Sequence, residues 1–147
     1  MAQLLFTPLY RLNPYNIIMS LDFGYELIDR SFERLDINGK IEIADLYKDN
    51  TIFAVKIGNT SSKLCYGIDQ LSTSAKLIKK KLIKFDKQIS KVALWIVLER
   101  AEKLPIKSGR VDINKLNLLV FKNKLDTWQK DMRQLSYEPI LIIAYKH

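Results

Sequence analysis

Apolar residues recur at helical spacing in three stretches and run almost unbroken in two others, and the order of these stretches predicts a layered α/β fold. Pro14 opens the first stretch, where Ile17, Ile18, Leu21, Tyr25, Ile28 and Phe32 read as one helix interrupted by Gly24. Residues 1–13 read as an arm or an edge strand, ahead of a core from 14 to 147. A three-strand meander follows, with strands at Phe32–Ile37, Lys40–Tyr47 and Thr51–Ile57. Its turns are Asn38-Gly39 and Lys48-Asp49-Asn50. Residues 60–86 read as a helix with Leu64, Leu71, Ile78, Leu82 and Phe85 on one side. Val92–Leu98 is a strand buried on both faces. Leu104–Arg110 is a loop broken by Pro105 and Gly109. Asp112 caps a helix that carries Leu116, Leu119, Phe121, Leu125, Trp128, Met132 and Leu135 and stops at Glu138-Pro139. Ile140–Tyr145 closes the chain as a second buried strand. The expected fold is a mixed sheet, meander plus two buried strands, flanked by helices. Both late strands are too apolar for an edge, so they are expected centrally with helices on both faces.

Composition narrows the chemistry. A chain of 147 residues without repeats or linkers reads as one domain with a sizeable core. No apolar run approaches the ~18 residues that suggest a membrane span. Met1–Leu12 lacks the basic and apolar regions of a signal peptide, so a cytoplasmic location and no membrane partner are expected. The single cysteine, Cys65, excludes an intrachain disulfide and argues against a cysteine zinc site. The single histidine, His147, argues against histidine catalysis. A metal would therefore sit on carboxylates, which suits Mg²⁺; no other cofactor is expected. The net charge of +8 favours an anionic partner, either nucleic acid or an acidic protein.

The chemistry-bearing segment runs from Glu42-Ile43-Ala44-Asp45-Leu46 to Ala54-Val55-Lys56. Phosphodiester hydrolysis needs carboxylates to hold a metal and a cation near the developing charge. Asp45 is the candidate metal ligand and Lys56 the candidate cation, with Glu42, Glu33, Asp69 and Gln70 as helpers. Residues two apart on a strand share a face, so Ala54 points with Lys56 where a second acid would serve. Glu42 and Asp45 have opposite parity and converge only across a bulge or a strand end. The plain alternative is two solvent-facing charges on a meander.

Lys76, Lys80, Lys84, Lys87 and Lys91 follow helical spacing and are expected to form one stripe opposite Leu71, Ile78, Leu82 and Phe85. Such a stripe is either a solvated face or a track for phosphates. Lys107 and Arg110, with Ser108, are further candidate phosphate contacts. Trp95 and Trp128 read as core, Cys65 as a buried small residue, and Tyr10, Tyr15 and Tyr25 as packing or interface residues.

The element order resembles a restriction-endonuclease-like, PD-(D/E)XK, core. The motifs carry a further resemblance. Glu42 to Leu46, Ala54-Val55-Lys56, Ser61-Ser62-Lys63-Leu64 through Gln70, and Ser74-Ala75 resemble the C-terminal part of a bacterial family. That family is described as sporadically distributed, is of unknown function and occurs near restriction and phage-defence genes. Its members read E-x-C-D-L, H-V-K and S-S-x-L-S-H-L-F-x-Q-G-x-x-S-A. The resemblance covers about residues 40–145 and is most specific at 42–78. Ala54 stands where the family has histidine, Cys65-Tyr66 replace Ser-His, and Leu71 replaces glycine. Family members are several-fold longer. The resemblance implies a nuclease-like, nucleic-acid-binding domain in phage defence or a mobile element, with DNA ahead of RNA and catalysis impaired. Two alternatives stay open: an active atypical Mg²⁺ nuclease, and a non-enzymatic immunity, antitoxin or inhibitor module.

Overall fold

A computed structural model describes residues 23–28, 32–33, 40–41 and 43–146, with residues 32–33 and 40–41 described by backbone alone. The strands are β1 (Glu26–Leu27), β2 (Phe32–Glu33), β3 (Lys40–Ile41), β4 (Leu46–Lys48), β5 (Thr51–Ile57), β6 (Lys91–Glu99), β7 (Ile106–Lys107), β8 (Arg110–Val111) and β9 (Glu138–Lys146). The helices are α1 (Ser61–Lys79) and α2 (Leu119–Gln134), with a 3-10 turn at Ile113–Lys115. The main sheet has the order β1-β4-β5-β6-β9. Its first three strands are antiparallel, and β5, β6 and β9 are parallel. The protein is thus mixed α/β with a mixed five-strand sheet, as the sequence pattern predicts.

Thr51–Ile57 forms the expected strand. Asp49 and Asn50 both take positive φ, 50° and 59°, which gives the β4–β5 hairpin the left-handed turn that matches strand twist. The rest of the meander is broken. The expected strand over Lys40–Tyr47 is two pieces, β3 pairing with β2 and β4 pairing with β5. Asp45 sits at the bend between them. The Asn38-Gly39 turn lies outside the described residues. So does most of the expected first helix, while its Tyr25 to Ile28 portion contains β1 instead.

Alternation along β5, β6 and β9 divides the core. Ile52, Ala54, Leu94, Ile96, Leu141 and Ile143 pack with the buried faces of α1 and α2. Phe53, Val55, Trp95, Val97, Ile140 and Ile142 pack on the other side with Tyr25 and Leu27. Each fully buried aliphatic side chain contributes roughly 1.5–3 kcal/mol by leaving water. Among the described residues both helices therefore lie on one face, and the third expected helix lies largely outside those residues. The position of β9 is a correction: it is an edge strand of the described sheet, and Ile140 to Tyr145 are only partly buried.

Both helices end earlier than their apolar spacing suggests, for one reason. Lys81 takes φ 59°, its N–H donates to Ile78 O, and the Leu82 N–H donates to Leu77 O. Ser136 takes φ 65° and the same pattern recurs with Arg133 and Met132. These are left-handed C-caps of the kind usually supplied by glycine. Residues 80–86 therefore leave the helix. Asp112 caps only the 3-10 turn, through Asn114 N–H, and α2 starts at Leu119. The expected loop over 104–110 contains the β7–β8 hairpin, turning at Ser108 (φ 54°) and Gly109 (φ 75°).

Candidate functional site

Asp45 and Lys56 meet. Asp45 ends the pairing of β4 with β5: its N–H donates to Phe53 O at 2.8 Å, and its carbonyl accepts from Ile28 N–H at 3.3 Å. Its carboxylate turns back onto β5, where Oδ2 accepts from Val55 N–H at 2.7 Å. Lys56 Nζ lies 3.8 Å from the same oxygen, and both side chains are largely shielded, at 14% exposed for Lys56 and 9% for Asp45. Such a pair carries a desolvation cost that hydrogen bonding to the carboxylate offsets. Sequence parity holds as well, since Ala54 is fully buried against the helices on the side Lys56 shares.

α1 fixes the lysine. Gly67 faces β5 and β6 so closely that a Cβ there would come within 2.7 Å of Leu94 Cδ1 and 2.9 Å of Lys56 Cγ. The Lys56 stem thus lies in a space that only glycine leaves open. Its Nζ lies 5.0 Å from the centre of the Tyr66 ring, and Tyr66 is 57% exposed. A cation over an aromatic face at this range is attracted by the ring quadrupole. Tyr66 is a site residue that periodicity does not reveal, because its position on the open side of α1 becomes meaningful only once Lys56 lies beneath it.

The other candidates divide. Gln70 is buried on α1. Ser74 is buried too, and its hydroxyl donates to Ile43 O at 2.6 Å, tying α1 to the segment before Asp45. Asp69 is paired with Lys124 of α2 at 2.7 Å. That hydrogen bond raises the Lys124 pKa. Glu42 and the Glu33 side chain lie outside the described residues. Among the described residues no three His, Cys, Asp or Glu side chains group to hold a metal. Among the described residues Asp45 is the one named carboxylate placed beside Lys56, with its Oδ2 shared between Val55 and the lysine. Cys65 is buried, and that burial is the main cause of its raised thiol pKa. Trp95 and Trp128 are core residues as expected, and Tyr25 packs edge-on against Phe53.

The lysine stripe is not a helix face. α1 stops at Lys79, Lys80 caps it, Lys84 and Lys87 lie in the following loop, and Lys91 starts β6. Lys87 bonds Glu26 at 2.9 Å, which raises its pKa, and lies over the Tyr47 ring. Lys91 approaches Glu138 at 3.9 Å. Lys76, Lys80 and Lys84 are exposed, with no ion pair among the described residues. These lysines gather at the amino ends of the parallel strands. Thr51 is paired with Lys91, and Lys56 stands five residues further on, about 16 Å along the sheet.

Lys107 and Arg110 are cross-strand partners in the β7–β8 hairpin, both exposed. Like charges directly opposite one another destabilise a hairpin. Arg110 also lines an open notch of about 550 Å³ with Arg133, Ser136, Tyr137, Glu138 and Pro139.

Two further contacts escaped the sequence reading. Asn59 Nδ2 donates to Glu99 O at 2.7 Å, while Glu99 N–H donates to Asn59 Oδ1 at 3.0 Å, joining the carboxyl ends of β5 and β6. Thr60 caps α1 through Lys63 N–H, and the first turn of that helix holds no acid. Comparison of the chain with protein-family models, with curated proteins and with solved structures finds no match.

Proposed function

We propose that the protein is a nucleic-acid-binding domain with a restriction-endonuclease-like core whose catalytic centre is impaired, in keeping with the phage-defence setting that its motif resemblance implies. The observation that carries this reading is the Asp45–Lys56 contact beside buried Ala54. A carboxylate from the bend before β4 and a lysine from β5 converge at the face covered by α1, where a second acid would complete a metal site. Alanine supplies no ligand there, and Asp45 already accepts a backbone N–H. The pair serves the fold directly, so a Mg²⁺ ion at Oδ2 would compete with the Val55 and Lys56 contacts.

Support for binding comes from the cations. The Lys107–Arg110 pairing places two like charges opposite each other, an arrangement that an anion between them would stabilise. Lys76, Lys80 and Lys84 add exposed positive charge. None of these groups reads bases by its position, so the binding proposed is to phosphate and is strongly salt-dependent.

The test is a fluorescence-anisotropy titration of labelled duplex DNA, single-stranded DNA and RNA across a range of salt. Affinity that falls steeply with salt supports the reading. No binding at low salt removes it and favours a protein-interaction module. Incubation of the same substrates with Mg²⁺ or Mn²⁺ tests the impairment. Robust cleavage that is lost in a folded Asp45→Asn protein would overturn it and favour an active atypical nuclease.

A further inference from the structure

Strand β9 is nine residues long, and among the described residues it has a strand neighbour on one side only, β6. The Glu138 N–H donates to Ser90 O on the β6 side. Backbone groups alternate sides along a strand, so those of residues 138, 140, 142, 144 and 146 turn toward β6. Those of Pro139, Leu141, Ile143 and Tyr145 turn outward. Pro139 thus places its missing N–H on the open side, where an edge strand tolerates it. Ile140 to Tyr145 remain partly exposed. An apolar edge of this length presents free donors and acceptors to another strand.

We propose that this edge is a self-association seam, on which a second copy of the chain lays its own β9 antiparallel. Outward-facing groups must meet outward-facing groups, so the two-fold axis has to pass beside a residue rather than between two. Centring it on Ile142 sets Glu138 opposite the partner's Lys146, at both ends of the seam. No other two-fold register with the same parity pairs these two charges. Leu141 then exchanges backbone hydrogen bonds with the partner's Ile143. The Pro139 carbonyl accepts from the partner's Tyr145 N–H. Ile142 faces its own copy in a non-hydrogen-bonded pair. Glu138 also lies 3.9 Å from Lys91 within its own chain, a long exposed contact that leaves the carboxylate able to bridge. The seam joins two five-strand sheets into one continuous sheet and is independent of the nucleic-acid reading.

Sedimentation of the full chain tests this. The expected result is a concentration-dependent species of twice 17.1 kDa. Glu138→Lys weakens the dimer roughly ten-fold, and the charge-swapped Glu138→Lys/Lys146→Glu protein recovers it. Circular dichroism confirms that each variant is folded. In a Cys65→Ser background, Ile142→Cys oxidises to a covalent dimer, because a non-hydrogen-bonded antiparallel pair brings Cα atoms to about 4.5 Å. Ile140→Cys does not. A chain that stays monomeric up to its solubility limit overturns the proposal. So does a dimer that ignores Glu138→Lys and fails to cross-link through position 142.

Discussion

Gly67 of α1 and Lys56 of β5 fit together without room for a methyl group: a Cβ at 67 would lie 2.9 Å from Lys56 Cγ and 2.7 Å from Leu94 Cδ1. The helix therefore determines where the lysine stem runs, and through it how near Nζ comes to Asp45. Gly67→Ala gains about 1 kcal/mol of helix propensity. The overpacking costs roughly 1–3 kcal/mol, since Leu94 is in the core and cannot yield freely. The expected outcome is a net loss of about 0–2 kcal/mol in urea unfolding. A variant about 1 kcal/mol more stable than the parent, the full propensity gain, would show that α1 is not held against β5 in this way.

Asp45 has a structural duty that is separable from chemistry. Asp45→Ala strips Val55 N–H of its acceptor and leaves Lys56 without its counter-charge, at an expected cost of about 2 kcal/mol. Asp45→Asn keeps an oxygen for Val55 and costs less. If Asp45 served only as a metal ligand, both substitutions would leave metal-free stability unchanged. Denaturant titrations in chelator compare the two cases.

The sequence motif and the three-dimensional site overlap unevenly, and the reason lies in which residues are buried. Ala54 and Lys56 are legible because strand parity places them on one face, while Asp45 reaches Lys56 from the bend before β4. Gln70, Ser74 and Ala75 stand out in the motif, yet all are buried, and Ser74 holds Ile43 O. Much of that motif therefore specifies how α1 docks. The lysine stripe misled because Lys81 adopts a left-handed conformation with no glycine or proline to signal it. The apolar spacing of Leu82 and Phe85 continues past the true helix end, since both pack on the core from a loop. β9 reads as central because its composition is that of a buried strand. Strand order depends on pairing partners distant in sequence, which local periodicity does not encode.

Lys107 and Arg110 give the binding proposal a quantitative check. If each contacts one phosphate, replacing both with glutamine reduces the slope of log affinity against log salt by about 1.8 for duplex DNA. Affinity should fall alike for unrelated sequences, because phosphate contacts carry no base information. An unchanged slope would place binding elsewhere. The hairpin itself should not suffer, since removing the two opposed cations relieves repulsion.

Stability is expected to decline on the alkaline side. Burial raises the proton affinity of Cys65 and Tyr137, while hydrogen bonds to Glu26 and Asp69 raise that of Lys87 and Lys124. The folded state therefore binds more protons than the unfolded chain at high pH. By linkage, the slope of unfolding free energy with pH is negative there. The contributions are complete below the ordinary values, 9.0 for the cysteine, 10.0 for the tyrosine and 10.5 for the lysines, and are lost as pH rises past each. Urea midpoints measured at intervals from neutral pH upward should be level at first and fall beyond the cysteine value. Cys65→Ala should remove the earliest part of that fall. A midpoint that rises with pH in this range would contradict the burial of Cys65 and Tyr137.

The two helix ends offer a gain in stability. Lys81 and Ser136 hold φ of 59° and 65°, a left-handed conformation that costs a residue with a Cβ roughly 1–2 kcal/mol. Glycine adopts it freely, although it loses more conformational entropy on folding. Both residues are exposed, so neither substitution removes core packing. Lys81→Gly and Ser136→Gly should each stabilise the protein by about 0.5–1 kcal/mol; the two caps are neighbours, with Lys79 Nζ 5.1 Å from the centre of the Tyr137 ring, so the double variant measures their coupling. Alanine at the same positions keeps the Cβ and should give no gain. Thermal and urea unfolding of the four single variants and the double glycine variant separates the outcomes. Alanine more stable than glycine at position 81 by about 1 kcal/mol would mean that α1 does not end in a left-handed cap, and that residues 80–86 continue the helix after all.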